Sequence, residues 1–470
     1  MKIFSELEKQ KVFKDISDIA DQLGIECYVI GGYVRDLILG YPSHDIDIVV
    51  VGSGIQIAEA FHKRVGGKLS IYQSYGTAMV NYNGIEVEFV GARKESYERG
   101  SRNPIVENGT LEDDQLRRDF TINAMAICLN KSRFGELVDP FNGIEDLKNG
   151  IIRTPTDPTI TFSDDPLRML RCIRFATRFG FDIDQITWQG VCQNSQRLKI
   201  IVQERITDEL NKIILSSDPK RGFVLLKEAG LLQQIIPELT VLDTNDKVGE
   251  DYVDFHKNNF WHSVNVLDNM AKRSDGLWIR WAALLHDIGK EPTKRHDPVK
   301  GWTFYDHEHM SARMIPKLFA RMKQPLGEEM KYVQTLVELH MRPQIIANDQ
   351  VTDSAVRRLC SDAGDYIDDL MTLCECDLTT RNLEKKQHFL NNFRKVREMI
   401  EDLKQRDFKR LFQPCIDGNQ IMELLNLRPS REVGILKQAL KDAVLDNTVP
   451  NEPEPLKELL YQKAREIGVL

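Results

Sequence analysis

Gly31 to Val49 reads GGYVRDLILGYPSHDIDIV, and the class of the chain turns on its two ends. Asp45 and Asp47 alternate with Ile46 and Ile48. That is the period of a strand, so both carboxylates leave one face while the isoleucines enter a core. Paired carboxylates can share a hard divalent cation such as Mg²⁺, which keeps positions open for phosphate oxygens. The glycine pair lets backbone N–H groups approach a triphosphate without Cβ in the way. Together these are the parts of a nucleotidyl-transfer site. Taken alone, DxD suits a surface turn and a solvated strand equally well.

Around this stretch the pattern mixes short strands and helices from Cys27 to about residue 130. CYVIGG, IDIVVVG, GTAMVNYNG and GIEVEFVG read as strands, and IQIAEAFHKRVG reads as a helix between them. Residues 1 to 24 repeat apolar side chains at helical spacing and predict one amphipathic helix. GIEVEFVGAR sends Glu86 and Glu88 to one face, where one of them could serve as a third carboxylate. After TPTDPTITFSDDP, punctuated by three prolines, long helical patterns run almost to the end.

Whole-chain properties bound the reading. At 470 residues several domains are expected. A 41% apolar, 29% charged composition fits a folded soluble protein, and no run approaches the roughly 20 apolar residues of a membrane helix. The start MKIFSELEKQKVFKD is too charged for a signal peptide, and eight scattered cysteines suit reduced thiols in the cytoplasm. Net charge is −8, yet residues 381 to 410 hold ten Lys or Arg against five Asp or Glu, a basic surface or simply a solvated helix face.

Two further segments carry chemistry in the first half. LRRDFTINAMA (116–126) sets two arginines beside Asp119 at the start of an apolar, helical-looking run, which suits phosphate clamping or a plain helix cap. In FSDDPLRMLRCIRFATRFGF (162–181), Arg168, Arg171, Arg174 and Arg178 recur at spacings of three, three and four on one helical face. Aligned guanidiniums repel unless an anion faces them. Asp165 stands one turn before Arg168. A carboxylate only accepts and a guanidinium only donates, so the pair matches the edges of cytosine and adenine and opposes those of uracil and guanine.

These ordered motifs resemble the class II tRNA nucleotidyltransferases, the bacterial CCA-adding and poly(A) polymerase family. GGYVRD with DID resembles the metal and triphosphate motif, and RRDFTINAMA the ribose and phosphate motif. LVDPFNGIEDL resembles the hinge of that family, DDPLRMLRCIRFA its nucleotide-templating motif, and QERITDELNKIIL the helix behind the template. Asp164-Asp165 stands where the family usually has Glu-Asp. The resemblance implies Asp45 and Asp47 as catalytic metal ligands, with Glu88 as a third acidic position. It implies Gly32, Arg35, Arg118, Asp165, Arg168, Arg171 and Arg174 as nucleotide contacts.

The second half has its own signature. WAALLHDIGK, FYDHEHM, LVELHMRP and CECDLTTR follow Trp261-His262 and bring five histidines together with Asp287 and Asp377. Imidazoles with carboxylates suit a transition metal or a Mg/Mn-type hydrolytic centre. The set resembles the HD phosphohydrolase superfamily, which implies His262, His286, Asp287 and Asp377 as ligands with His307 and His340 nearby. Beyond residue 412, IDGNQIMELLNLRPSREVGILKQAL is similar to the family's C-terminal segment.

The expectation is an α+β chain. A polymerase-beta-like nucleotidyltransferase head (1–152) precedes an all-α neck (153–245), an HD domain (246–380) and a tRNA-binding tail (381–470). The implied activity adds C, C and A to tRNA from CTP and ATP with Mg²⁺, and the HD site would take a divalent transition metal or Mg²⁺. The alternatives are a poly(A) polymerase, an enzyme adding only CC or only A, or an HD phosphohydrolase whose head only captures RNA.

Overall fold

The computed structural model describes residues 2–43, 45–73, 76–96, 105–243, 258–348, 352–380, 382–405, 413–446 and 448–470. At 2–5, 94–96, 105–106, 348 and 404–405 it describes the backbone alone. The chain divides into two compact units, Met1–Pro237 and Glu238–Leu470, each taken by itself below.

The first unit is built on a seven-stranded mixed sheet. Its strands are β1 (Glu26–Ile30), β2 (Asp45–Val51), β3 (Lys68–Tyr72), β4 (Thr77–Tyr82) and β5 (Ile85–Gly91). A separate two-stranded ladder, β6 (Arg93–Ser96) with β7 (Ile105–Asn108), follows before β8 (Ala126–Cys128) and β9 (Leu137–Val138) complete the sheet. The order is β3-β4-β5-β2-β1-β8-β9, with β2 and β5 parallel and the other pairs antiparallel. Helix Gly54–Val65 lays Ile57, Ala58 and Phe61 on the sheet, where Phe61 meets Phe89 at 5.5 Å between ring centroids. Phe61 is wholly buried, so Phe61→Ala should cost about 3–5 kcal/mol.

Two local expectations are corrected. The single N-terminal helix is two, Lys2–Lys9 and Lys11–Leu23, because Gln10 takes an extended conformation and donates from Nε2 to the Tyr33 hydroxyl. The apolar run after Asp119 is no helix. Thr121–Asn123 makes one 3₁₀ turn, and β8 then pairs with β1, placing Ala126 opposite Ile30 and Cys128 opposite Tyr28 in the buried sheet. Tertiary burial overrides helix periodicity in so short an apolar run.

Beyond the sheet the first unit is helical apart from a two-residue ladder between 151–152 and 182–183. Asp157 accepts from the Thr159 N–H and Pro158 opens helix Pro158–Asp164; helix Leu167–Phe179 follows at once. Its inner face buries Leu170 and Ile173, and helix Gln203–Ile214 packs against it through Leu210 and Ile213.

In the second unit five helices supply the centre described below: Asn259–Ala271, Leu277–Leu285, His307–Arg321, Glu328–Leu339 and Ile367–Asp377. A hairpin, 295–297 with 301–303, interrupts them. Helices Gly418–Leu425, Arg431–Leu445 and Pro453–Glu466 form a small core of their own around Ile421, Leu440 and Leu460. The boundary expected near residue 245 between neck and HD domain lies outside the described residues. Among the described residues no helix is long and apolar enough to cross a membrane, and all eight cysteines are free thiols.

Candidate functional sites

Register positions the acids of the first unit. Parallel pairing sets Asp45 beside Glu86 and Asp47 beside Glu88, while antiparallel pairing sets Asp47 opposite Ile30, the last residue before the glycine turn. Gly31 takes φ +81°, which favours glycine, and a Cβ there would meet Arg118 Nη1 at 2.6 Å. Asp47 Oδ2 would lie 3.5 Å from the same Cβ, so acid and guanidinium converge on the turn. Burial raises the Asp47 carboxyl above its usual range against the pull of Arg118, and Asp45 adds to the rise. Burial and the Asp47 charge do the same to Glu88. Hard oxygen ligands crowded until ionisation is disfavoured fit a site for a hard divalent cation.

These acids form one wall of a cleft of about 460 Å³, and Arg35, Arg118, Arg171, Arg174 and Arg178 lie along the rest of its lining. Each guanidinium is held. Arg118 pairs with the fully buried Asp114, Arg171 Nε donates to Asp119 at 2.7 Å, and Arg174 Nε lies 2.7 Å from Glu209, an ion pair without hydrogen-bond alignment. The Phe175 ring stacks under Arg174 at 4.2 Å. Asp119 is the hub: burial would raise its carboxyl, but Arg171, Asn123 and Arg168 bring it down to about 2. Arg35 lines the cleft while buried, donating to Asp36 and to Asn123.

Asp165 and Arg168 are not among the cleft-lining residues. Asp165 sits in extended backbone between two helices. Its Oδ1 accepts from the Leu167 N–H, and its Oδ2 accepts from Arg205 Nη2 at 2.9 Å. Arg168 donates to the carbonyls of Thr161 and Arg117. Gly32, Arg35, Arg118, Arg171, Arg174, Asp45, Asp47 and Glu88 do converge. Sequence reading missed Asn123, Glu209 and Phe175. Asn123 lies within RRDFTINAMA and Glu209 within QERITDELNKIIL, and that membership is the signal that pointed to either.

In the second unit helix ends meet. His262 lies in the first turn of its helix and His307 opens another. His286 and His340 cap two more, and Asp377 ends the fifth. His262 Nε2 is 2.7 Å from Asp377, 3.4 Å from Asp287 and 3.2 Å from His286 Nε2. On the other side of Asp287, Oδ1 is 3.2 Å from His307 Nε2 and 3.9 Å from His340 Nε2. Three rings share one device: Nδ1 of His286, His307 and His340 faces the carbonyl three residues earlier, on Ala283, Phe304 and Val337. That contact fixes each ring with its Nε2 turned inward.

Burial and His286 hold His340 down to about 3, a neutral ring. His286 is buried too, but Asp287 and Asp377 lift it to about 10. Nε2 of His307 and His340 are buried with no hydrogen-bond partner, and imidazole orphans beside a shared carboxylate fit a divalent transition metal. His309 is apart, half exposed beside Glu338. Gly289 is needed where the chain turns under this centre, since a Cβ would lie 2.4 Å from the His307 carbonyl oxygen.

Three family models match: the poly A polymerase head domain at 27–153, a probable RNA-binding site of polymerase A at 180–242, and the HD domain at 259–382. The A-adding tRNA nucleotidyltransferase of Deinococcus radiodurans is 31% identical over 88% of this chain and 90% of its own length. The multifunctional CCA protein of Nitrosospira multiformis is 31% identical over 76% of this chain and 84% of its length. An A-adding enzyme of Geobacter sulfurreducens is 35% identical over 49% of the chain, which spans only 26% of that protein. The Thermotoga maritima CCA-adding enzyme complexed with tRNA shares the fold, with TM-score 0.61 and 23% identity over 98% of both chains. With identity sustained along nearly the whole of two relatives, and acids facing arginines across one cleft, the chain belongs to the tRNA nucleotidyltransferase family of enzymes.

Proposed function

We propose that this enzyme completes tRNA 3′ ends, adding C, C and A from CTP and ATP without a nucleic-acid template and releasing pyrophosphate. The observation that carries the reading is the in-register pair Asp45/Glu86 and Asp47/Glu88 facing Arg118, Arg171 and Arg174 across one cleft. Asp45 and Asp47, with Glu88, would hold Mg²⁺, which when bound supplies activation of the attacking hydroxyl and charge neutralisation of the leaving pyrophosphate. The arginines grip the triphosphate, and Asp119, Asp114 and Glu209 keep their planes fixed. Gly31 and Gly32 let phosphate oxygens approach the backbone. Asp165 and Arg168 select the base, accepting C and A and opposing U and G, once Asp165 exchanges Arg205 for a base amino group.

We divide the work among a head to residue 152, a neck at 153–245, an HD segment at 246–380 and a tRNA-binding tail from 381. The spans of the family models support that division. Eight cysteines outside any disulfide suit the cytoplasm, where tRNA is matured. The test incubates the enzyme with tRNA lacking its 3′ end and each labelled nucleoside triphosphate in turn. Two C residues followed by one A are expected. Incorporation of A alone on tRNA ending in CC, or of long A runs on any RNA, would overturn the reading in favour of an A-adding enzyme or a poly(A) polymerase.

The orphaned Nε2 atoms favour a second activity in the same chain, metal-dependent phosphohydrolysis at the HD centre. His262, His286, Asp287 and Asp377 would hold the ion, with His307 and His340 beside them. Such an ion supplies a water nucleophile and a grip on phosphate oxygens. Hydrolysis of 2′-, 3′- or cyclic phosphates with added Mn²⁺, Ni²⁺, Co²⁺ or Mg²⁺ is the measurement. No turnover across that panel leaves the centre a scaffold.

A further inference from the structure

The centre of the second unit opens into a cavity of about 310 Å³ whose lining runs from His262, Asp287 and Asp377 to three side chains with no part in that cluster, Gln344, Lys385 and Phe389. The chain reaches the last two by turning back after Asp377. The Thr379 N–H donates to the Asp377 carbonyl at 2.8 Å, and Thr379 Oγ1 lies 3.0 Å from His262 Nδ1. Asn382 Oδ1 then accepts from the Lys385 N–H at 2.9 Å, capping helix Leu383–Gln405. Lys385, Phe389, Phe393, Val396 and Ile400 share one stripe of that helix. Phe393, Val396 and Ile400 are buried, Phe389 is half-buried and Lys385 is exposed, so the stripe leaves the core at an aromatic ring and ends in a cation beside the cavity. Both residues lie beyond 382, where the match to the HD domain stops.

These three side chains have capacity to spare. Lys290, also in the lining, is committed to Asp287, 2.6 Å away. Lys385 is not: among the described residues its Nζ makes no ion pair or hydrogen bond, and the Gln344 amide makes none either. An ammonium only donates and calls for an anion, while a carboxamide donates on one side and accepts on the other, matching a ring edge that carries both. A half-buried phenyl face calls for a flat ring. A nucleoside phosphate supplies all three. A sugar phosphate offers no ring to Phe389, and an apolar ligand would desolvate Lys385 and Gln344 without a partner. The volume lies at the low end for small-molecule sites, room for one nucleotide and not for a strand.

We propose that Gln344, Lys385 and Phe389 form a nucleotide subsite of the HD centre. The base stacks on Phe389 beside the Gln344 amide, and the phosphate lies between Lys385 and the histidine–aspartate cluster. The nucleotide is free or the last residue of an RNA, and the chemistry recognised is the same. The proposal rests on the phosphohydrolase reading for what happens to the phosphate, but not for the docking itself.

The test measures binding of adenosine 3′-phosphate to the full chain in EDTA, where no divalent ion supports turnover. Lys385→Ala should raise Kd about tenfold to a hundredfold, the loss of one charge-assisted hydrogen bond. Phe389→Leu, which keeps an apolar side chain but no ring, should raise it about fivefold to a hundredfold, and Phe389→Tyr should recover most of that. Inorganic phosphate, which has no base, should displace the nucleotide with the same Ki from the wild type and Phe389→Leu, and with a higher one from Lys385→Ala. Photo-crosslinking with 2-azidoadenosine 3′-phosphate should label residues 340–344 or 378–389. A dinucleotide ending in a 3′-phosphate that binds as tightly as the mononucleotide identifies an RNA end as the occupant; one that binds severalfold more weakly identifies the free nucleotide. Binding that is followed by no hydrolysis once Mn²⁺ is added keeps the subsite and removes the hydrolase reading. An unchanged Kd in either Lys385→Ala or Phe389→Leu, or labelling confined to residues 1–237, overturns the subsite.

Discussion

The cleft of the first unit and the centre of the second both set carboxylates beside nitrogen-bearing side chains, but they are built in opposite ways. In the cleft, four carboxylates come from two neighbouring strands and three of the arginines from one helix, so a handful of backbone pairings fixes the site. In the HD centre the ligands come from the ends of five helices, His286 and Asp287 sharing one of them, and three rings are turned inward by the same carbonyl contact. Strand pairing sets acids at a fixed spacing but leaves long arginines to be aimed by partners such as Asp119 and Glu209. Helix ends deliver ligands whose rings are already oriented. The first arrangement suits the succession of C and then A proposed above. The second suits one geometry around one ion.

The sharpest way to break this contrast is to remove charge from the strand pair. Asp47→Asn should slow nucleotide addition by about a thousandfold or more, because an ion held there is worth several kcal/mol at the transition state. Stability should move the other way. The Asp47 carboxyl is raised by burial and by Asp45, so it favours folding below its unfolded pKa and loses that contribution as pH rises. At pH 7 the neutral variant should therefore melt higher than the wild type. Near-normal CMP addition, or a lower melting temperature at pH 7, would contradict the crowded-acid account. The converse experiment is His286→Ala with Asp287→Ala, which should lose bound divalent metal and any hydrolysis while CCA addition persists. Loss of both activities together would mean that the two sites are not separate.

Base choice is the next effect down. Arg168→Ala removes a charge-assisted donor worth about 1.5–3 kcal/mol, so single-turnover misincorporation of UTP and GTP should rise about tenfold to a hundredfold. Triphosphate affinity should change less, since Arg171 and Arg174 line the cleft and Arg168 does not. Unchanged selectivity would remove Arg168 from the templating role. Asp119 tests the scaffold behind the arginines. Its folded pKa of about 2 lies below the unfolded value, so its contribution is full above about pH 4 and is lost as pH falls towards 2. That contribution is about 2 kcal/mol. Asp119→Asn should melt below the wild type at pH 7, and the gap should close between pH 4 and 2.

How much of this was legible follows from where each signal resides. DID and IEVEF declared their strands because buried and exposed residues alternate with period two, and their parallel register then brought Asp47 beside Glu88. β3 and β8 did not declare themselves. KLSIY is only half buried and lacks clean alternation, while AMAIC is uniformly apolar, so nothing in its period separates strand from helix. The HD ligands were readable as residue types and the resemblance pointed to His262 and His286, but only the fold shows that His309, two residues past His307, stands beside Glu338 instead. Arg205 was invisible as a partner of Asp165, forty residues away, because nothing local distinguishes it from any exposed helical arginine.

That same ion pair gives the smallest and most discriminating prediction. Arg205 Nη2 donates to Asp165 Oδ2 at 2.9 Å, with the arginine side chain 43% and the aspartate 24% exposed. An exposed pair of this kind is worth about 0.2–1 kcal/mol. If Asp165 reads the base amino group, the incoming nucleotide competes with Arg205 for one carboxylate oxygen. Arg205→Ala should then lower KM for CTP and ATP alike, by about fivefold at most, with kcat and melting temperature nearly unchanged. Low salt should enlarge the difference, since screening weakens the pair the nucleotide must replace. A higher KM would reverse the sign of the argument and make Arg205 a buttress that orients Asp165 rather than its competitor. Equal KM values at every salt concentration would mean that the base never touches Oδ2, and base choice would have to be sought on the other carboxylate oxygen or outside the Asp165 side chain altogether.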